Sequence, residues 1–267
     1  MATMMQRSRT GLRITPLSPL GAEVSGIDLR NEIDDETQGA LRRAWDEHAL
    51  LLFRDQDLRA EDLKRVASVF GKISDQGEAP GGMNLVTNVY KPGLNEKGEH
   101  ALKGGDGELL MHFDHCFQEH PLRGILLYGV EIPPEGGDTR FADMRIATGR
   151  LPSDIRARID DKLIRHKSYL RTGQPEWNHP ILYEHPRTKQ RVLFYSKLQA
   201  REILGIPEDE CKALFEKFTS IIETEDIMLR HKWRPRDLVV FDNLALQHAR
   251  DTFDPKYRRH LQRVQIG

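Results

Sequence analysis

The sequence predicts a mainly β protein with flanking helices, a sandwich or barrel of strands closed from outside. Three observations carry that expectation. Short apolar runs bounded by Gly, Pro or charged residues recur through the middle and end of the chain. Helical periodicity is confined to a few separate segments, which leaves the helices as flanking elements. No Gly-x-Gly-x-x-Gly or phosphate-loop lysine motif marks a nucleotide-binding α/β fold, and no internal period marks a solenoid.

Taken in order, residues 12–17 read as a short strand, 19–21 as a Pro-Leu-Gly turn and 24–29 as another extended piece. Residues 36–48 suit a helix, with Leu41, Ala44, Trp45 and His48 at helical spacing. The apolar run 49–53 stops at Arg54-Asp55 and reads as a buried strand. A second helix over 60–70 puts Leu63, Val66, Ala67 and Phe70 on one face, with Gly71 as its cap. Residues 85–90 form a strand. The segment 91–108 then holds Gly93, Gly98, Gly104, Gly105 and Gly107 among charges, so it adds little to a core. It is expected to be a mobile lid over a pocket, or a plain solvent loop. Residues 123–132 make an apolar strand, and Pro133-Pro134-Glu135-Gly136-Gly137 turns the chain into the extended piece 138–142. A short helix over 152–159 has proline near its first turn. Residues 181–184 and 191–195 read as adjacent antiparallel strands. The clearest helix covers 207–223, striped by Cys211, Leu214, Phe215, Phe218 and Ile222, and strands follow over 228–232 and 238–241.

A chain of 267 residues is long enough to bury roughly three quarters of its unfolded surface and so to enclose a pocket, and one elaborated domain over 1–267 suits that length as well as two domains do. Its 40 basic and 41 acidic residues balance, which argues against nucleic acid as a partner. Cys116 and Cys211 form no disulfide framework. No apolar stretch is long enough for a signal peptide or a membrane span, so the expectation is a soluble cytoplasmic protein. A homo-oligomer, dimer or tetramer, stays open.

The chemistry concentrates in residues 111–117, Met-His-Phe-Asp-His-Cys-Phe. On a strand, His112 and Asp114 share a face and offer an imidazole and a carboxylate to one point. His248, in Asn-Leu-Ala-Leu-Gln-His, would complete a two-His, one-carboxylate set with open coordination positions. The same residues also suit satisfied strand or turn positions. His115, His120 and Cys116 compete as ligands, in a zinc site for example, although no Cys-x2-Cys or His-Glu-x2-His pattern accompanies them. Towards the carboxyl end, residues 259–265 alternate so that Arg259 and Arg263 share a strand face. Two arginines there could receive a dianion, or could be solvated surface.

The order of motifs across nearly the whole chain resembles the taurine dioxygenase and 2,4-dichlorophenoxyacetate dioxygenase (TauD/TfdA) family. It runs from Ile14-Thr-Pro-Leu and Leu20-Gly-Ala-Glu-Val-Ser-Gly-Ile-Asp-Leu through Leu52-Phe-Arg-Asp-Gln and Phe70-Gly71 to His112-Phe-Asp114. It continues through Pro133-Pro-Glu-Gly-Gly-Asp-Thr139, His179-Pro180, Trp233-Arg-Pro235, Phe241-Asp-Asn243, His248, Arg258-Arg259 and Arg263. The resemblance implies a double-stranded β-helix, or jelly roll, and Fe(II), 2-oxoglutarate and O2 as cofactor and co-substrates. It implies that His112, Asp114 and His248 ligate iron, and that Arg259 meets the distal carboxylate of 2-oxoglutarate with help from Thr139. Arg263 is implied near the substrate or the keto-acid end of the co-substrate. The implied reaction is hydroxylation of an unactivated C–H bond with release of succinate and CO2. Desaturation, ring formation or oxidative cleavage by the same machinery is the first alternative, and an inactive metal- and 2-oxoglutarate-binding protein the second. Within the resemblance, Asp114 favours hydroxylation or desaturation over halogenation, since halogenating members lack this carboxylate. No histidine follows Phe70-Gly71 within Lys72-Ile-Ser-Asp75, which argues against taurine, and His115-Cys116 implies a differently shaped pocket.

Overall fold

The computed structural model describes residues 11–74, 83–88, 107–168 and 175–267. The chain opens with strands β1 (Arg13–Pro16) and β2 (Ala22–Ser25), then α1 (Asp35–His48). Asp34 caps α1 by accepting from Thr37 N, and Ala49, at φ 59°, ends it. Next come β3 (Leu50–Phe53), α2 (Ala60–Phe70), β4 (Met83–Thr87), β5 (Leu109–His112), β6 (Gly124–Glu131) and β7 (Thr139–Asp143). Two short helices, α3 (Met144–Gly149) and α4 (Ser153–Ile159), lead to β8 (Leu163–Lys167), β9 (Glu176–Pro180), β10 (Leu182–Glu184), β11 (Arg191–Leu193) and β12 (Ala200–Ile203). The long helix α5 (Glu208–Ile222) precedes β13 (Met228–His231), β14 (Leu238–Asp242), β15 (Leu246–Arg250) and β16 (His260–Ile266).

Two sheets make the body: a large one ordered β1-β2-β3-β14-β6-β16-β4 and a smaller one ordered β13-β7-β15-β5. Strand alternation explains why both faces of the large sheet are apolar. Leu51, Phe53, Leu126, Val240, Val264 and Ile266 face α1 and α2, where they meet Leu41, Trp45, Leu63 and Phe70. Their neighbours Leu50, Leu52, Ile125, Leu127, Val239, Phe241 and Leu261 face inward, onto Phe141 and Leu246 of the smaller sheet. The smaller sheet repeats the device, turning Met111, Ala142 and Ala249 outward onto a core that α5 covers with Phe218 and Ile222. The result is the expected double-stranded β-helix with helical buttresses, and its inter-sheet space holds the site.

Several details differ from expectation. The strands β8, β9 and β12, which form a separate three-stranded sheet, and the helix α3 were not anticipated. Sequences such as Leu-Ile-Arg-His-Lys and Glu-Trp-Asn-His-Pro carry too few apolar residues to read as strands. Gly71 is not a left-handed cap: its φ is 165°, an extended value. Glycine is required there because a Cβ would stand 2.6 Å from Ile266 Cγ2 of β16. The glycine-rich segment expected as a lid lies outside the described residues except for Gly107 and Glu108. Those two are tied to the smaller sheet, Gly107 O by the Arg250 guanidinium at 2.7 Å and Glu108 by Arg140 at 2.6 Å.

Candidate metal centre

Strand pairing brings two of the three expected ligands together. His248 of β15 stands opposite His112 at the end of β5, and the ring centres are 4.1 Å apart. His248 also pairs with Phe141 of β7, whose ring faces the inter-sheet space. His112 Nδ1 lies 2.8 Å from Leu110 O. That nitrogen therefore donates to the carbonyl, and Nε2 keeps its lone pair for a ligand bond.

Asp114 arrives by another route. β5 stops at His112, residues 114–117 form a turn, and His115 adopts left-handed backbone at φ 58°. The strand alternation expected to align His112 with Asp114 therefore does not operate. The carboxylate reaches the same point from the turn: Oδ1 is 3.3 Å from His112 Nε2 and 3.9 Å from His248 Nε2. Among the described residues these three form the one cluster of His, Cys, Asp or Glu with the spacing to hold a metal ion. Bonds of about 2.1 Å at right angles would set adjacent ligand atoms about 3 Å apart, close to what is found. The donor set fits a non-haem metal. The competing ligands fall away: His120 is exposed, and the buried Cys116 thiol donates to Gln199 Oε1 at 2.8 Å.

Charge prepares the site. Burial by itself raises the Asp114 carboxyl, but Arg263, His112 and His248 outweigh it and hold it well below the usual carboxylate range. Burial, reinforced by the neighbouring His112 ring and by Arg263 and opposed by Asp114, pushes His248 down to about 3. An ionised carboxylate and a neutral imidazole are the forms that bind metal. Arg263 projects from β16 on the inward face it shares with Leu261, and Nη1 donates to Asp114 Oδ2 at 3.0 Å. It thereby turns Oδ1 toward the imidazoles, a contact that the sequence reading did not foresee.

Arg259 and Thr139 lie together, as expected. Arg259 is only 2 % exposed; Nε donates to Gly137 O at 3.0 Å and Nη2 to Thr139 Oγ1 at 3.5 Å. No carboxylate among the described residues pairs with it. Burial, reinforced by Arg250 and opposed by Asp138, pushes the guanidinium down to about 9, so at neutral pH it remains a buried cation without an anion. Thr139 Oγ1 also accepts from Trp233 Nε1 at 2.9 Å. With two donors already on its oxygen, its own proton is left to give. Trp233 and Gly137 had been only pieces of a motif. Gly137 lets the arginine stem approach, since a Cβ there would stand 3.0 Å from Arg259 Cδ.

Two imidazoles and one carboxylate meeting between the sheets of a double-stranded β-helix, with a buried arginine that has no carboxylate partner among the described residues bonded to Thr139 of the same small sheet, define a non-haem oxygenase centre. The chain belongs to the taurine catabolism dioxygenase TauD, TfdA family, whose model matches residues 13–265. Pentalenolactone F synthase from Streptomyces avermitilis is 29% identical, over 97% of this chain and 94% of its own. The alpha-ketoglutarate-dependent 2,4-dichlorophenoxyacetate dioxygenase of Cupriavidus pinatubonensis is 28% identical, over 93% of this chain and 95% of its own. The crystal structure of AAD-2 in complex with Mn(II) and N-oxalylglycine superposes with a TM-score of 0.84 at 26% identity, covering 96% of each chain. The protein is an Fe(II)- and 2-oxoglutarate-dependent dioxygenase that uses O2 and acts on a small molecule. No helix among the described residues is long and apolar enough to cross a membrane.

Proposed function

We propose that His112, Asp114 and His248 hold the Fe(II), that Arg259 and Thr139 take the distal carboxylate of 2-oxoglutarate, and that the enzyme hydroxylates a C–H bond of a small carboxylate. One observation carries the reading: a buried guanidinium, with no carboxylate partner among the described residues, bonds to Thr139 of β7, the strand that pairs with the His248 strand of the converging His, Asp, His set. Iron, when bound, supplies the oxidative decarboxylation of 2-oxoglutarate that powers oxidation of the substrate. The chain does the rest. His112 presents Nε2 because Leu110 O occupies Nδ1, and Arg263 turns Asp114 so that one oxygen serves the metal. Arg259 and the Thr139 hydroxyl anchor and orient the far end of the co-substrate with charge-assisted hydrogen bonds. The apolar walls from Phe141, Phe241 and Leu246 keep water out. The carboxylate substrate class draws support from relatives named for 2,4-dichlorophenoxyacetate and (S)-phenoxypropionate.

Anaerobic titration of the metal-free protein with Fe(II) and then 2-oxoglutarate tests the assignment through the visible metal-to-ligand charge-transfer band. The band should form in the wild type and be largely lost in Asp114→Ala. An undiminished band in that variant removes Asp114 from the ligand set.

A further inference from the structure

A metal ligand on a turn lacks the ladder that holds a ligand on a strand, so its backbone groups must be satisfied from elsewhere. For Asp114 they are satisfied by one side chain far along the chain. Asp114 N donates to Asn243 Oδ1 at 2.9 Å, and Asn243 Nδ2 donates back to Asp114 O at 3.0 Å. The amide thus pairs with Asp114 as a neighbouring strand would. Its second amide proton goes to Leu122 O at 2.8 Å, closing the same loop at its far end. Asn243 is fully buried, and its own N–H donates to Arg123 O.

The mount is itself rigid. Asn243 lies in the turn that carries the chain from β14 in the large sheet to β15 in the smaller one, shortly before His248. Asp242 fixes that turn: Oδ1 accepts from Leu244 N at 2.9 Å and Ala245 N at 3.2 Å, and Oδ2 receives His185 Nε2 and the Arg187 guanidinium. One dipeptide therefore ties the Asp114 turn to the strand that bears His248.

We propose that Asn243 is the positioning residue that holds Asp114 in register with His248, so that the carboxylate meets the two imidazoles at one point. The role needs an acceptor and a donor on one short planar group, which among side chains of this size only asparagine supplies. It rests on Asp114 being a ligand.

The experiment compares full-length wild type, Asn243→Ala, Asn243→Asp and Asp114→Ala, each loaded with Co(II) in place of iron and read by visible absorption. Loss of a supporting contact commonly weakens metal binding about 10- to 100-fold, so Asn243→Ala should raise the Co(II) dissociation constant by about tenfold or more. At saturating Co(II) its spectrum should move toward that of Asp114→Ala. Asn243→Asp keeps the acceptor but not the donor and should fall between; it also decides the matter if the alanine variant does not fold. A saturated spectrum identical to wild type in the folded variants, whatever their melting temperature, overturns the proposal and makes Asn243 a structural residue alone. An unchanged spectrum in Asp114→Ala overturns the ligand reading itself, which is a separate failure.

Discussion

Replacing Arg259 by methionine removes the guanidinium and keeps an unbranched stem in its place. Two effects of opposite sign follow. In the metal-free protein the charge is held at a cost: depression from the ordinary arginine value to about 9 corresponds to something on the order of 5 kcal/mol as an upper bound. Methionine relieves that cost but leaves Gly137 O without its donor, a loss of about 1–3 kcal/mol. Exchanges of buried charge for apolar side chains commonly stabilise by about 1–4 kcal/mol. Calorimetry of the metal-free variant should therefore show a melting temperature a few degrees above wild type. The pH dependence has a definite sign. Burial lowers the Arg259 value in the folded protein, whereas the unfolded chain keeps the ordinary arginine value and so holds this proton more tightly. Wild-type stability therefore gains from this group as pH rises through the window between those values, and the variant's does not. Binding moves the other way, because truncating one partner of a buried charge pair costs about 2–5 kcal/mol, or roughly 30-fold and upward. Titration calorimetry of the Mn(II)-loaded protein should show 2-oxoglutarate binding weakened by about 100-fold. An unchanged dissociation constant would refute the anchor assignment, and a melting temperature several degrees lower would show that the guanidinium is a structural tie.

Thr139→Val keeps the side-chain shape but strips the hydroxyl that accepts from Trp233 and Arg259. Leaving the buried indole N–H unpaired should cost about 1–3 kcal/mol of stability, and 2-oxoglutarate affinity should fall about tenfold by the same calorimetric assay; unchanged values in both would show the hydroxyl idle. Asp242→Asn probes the rigid turn. Burial alone raises the Asp242 carboxyl, but His185 and Arg187 outweigh it and hold it below 3.8. Its contribution is therefore present above that ordinary value and lost as pH falls toward the depressed one. Urea unfolding between neutral and acid pH should give a steeper acid loss in wild type than in the variant, and parallel curves would sink the argument.

Much of the fold was legible because β3, β6 and β14 are short continuous apolar runs, the mark of strands buried on both faces, while the segment of β16 alternates. The helices α1, α2 and α5 were legible for the same kind of reason, their apolar stripes recurring at helical spacing. Strands β8, β9 and β12 were not. Their pairing satisfies backbone groups whatever the side chains, and Arg165, His166 and Lys167 in β8 carry no apolar signal. In the site, His112, Asp114, His248, Thr139 and Arg259 were all marked by their place in a motif series. The strand logic that first linked His112 to Asp114 was wrong in its physics, since β5 ends between them.

The sequence by itself determined the chemistry available: which imidazoles, carboxylate and arginines the chain owns, and which residues alternate toward a common interior. Local pattern reaches only as far as neighbouring residues in one element. The tertiary structure alone decided that His248 pairs across the ladder with His112, that Arg263 crosses the sandwich to Asp114, and that Asn243 grips the Asp114 backbone. Those contacts join residues more than a hundred positions apart, and they depend on sheet register and loop closure, which no periodicity along the chain encodes.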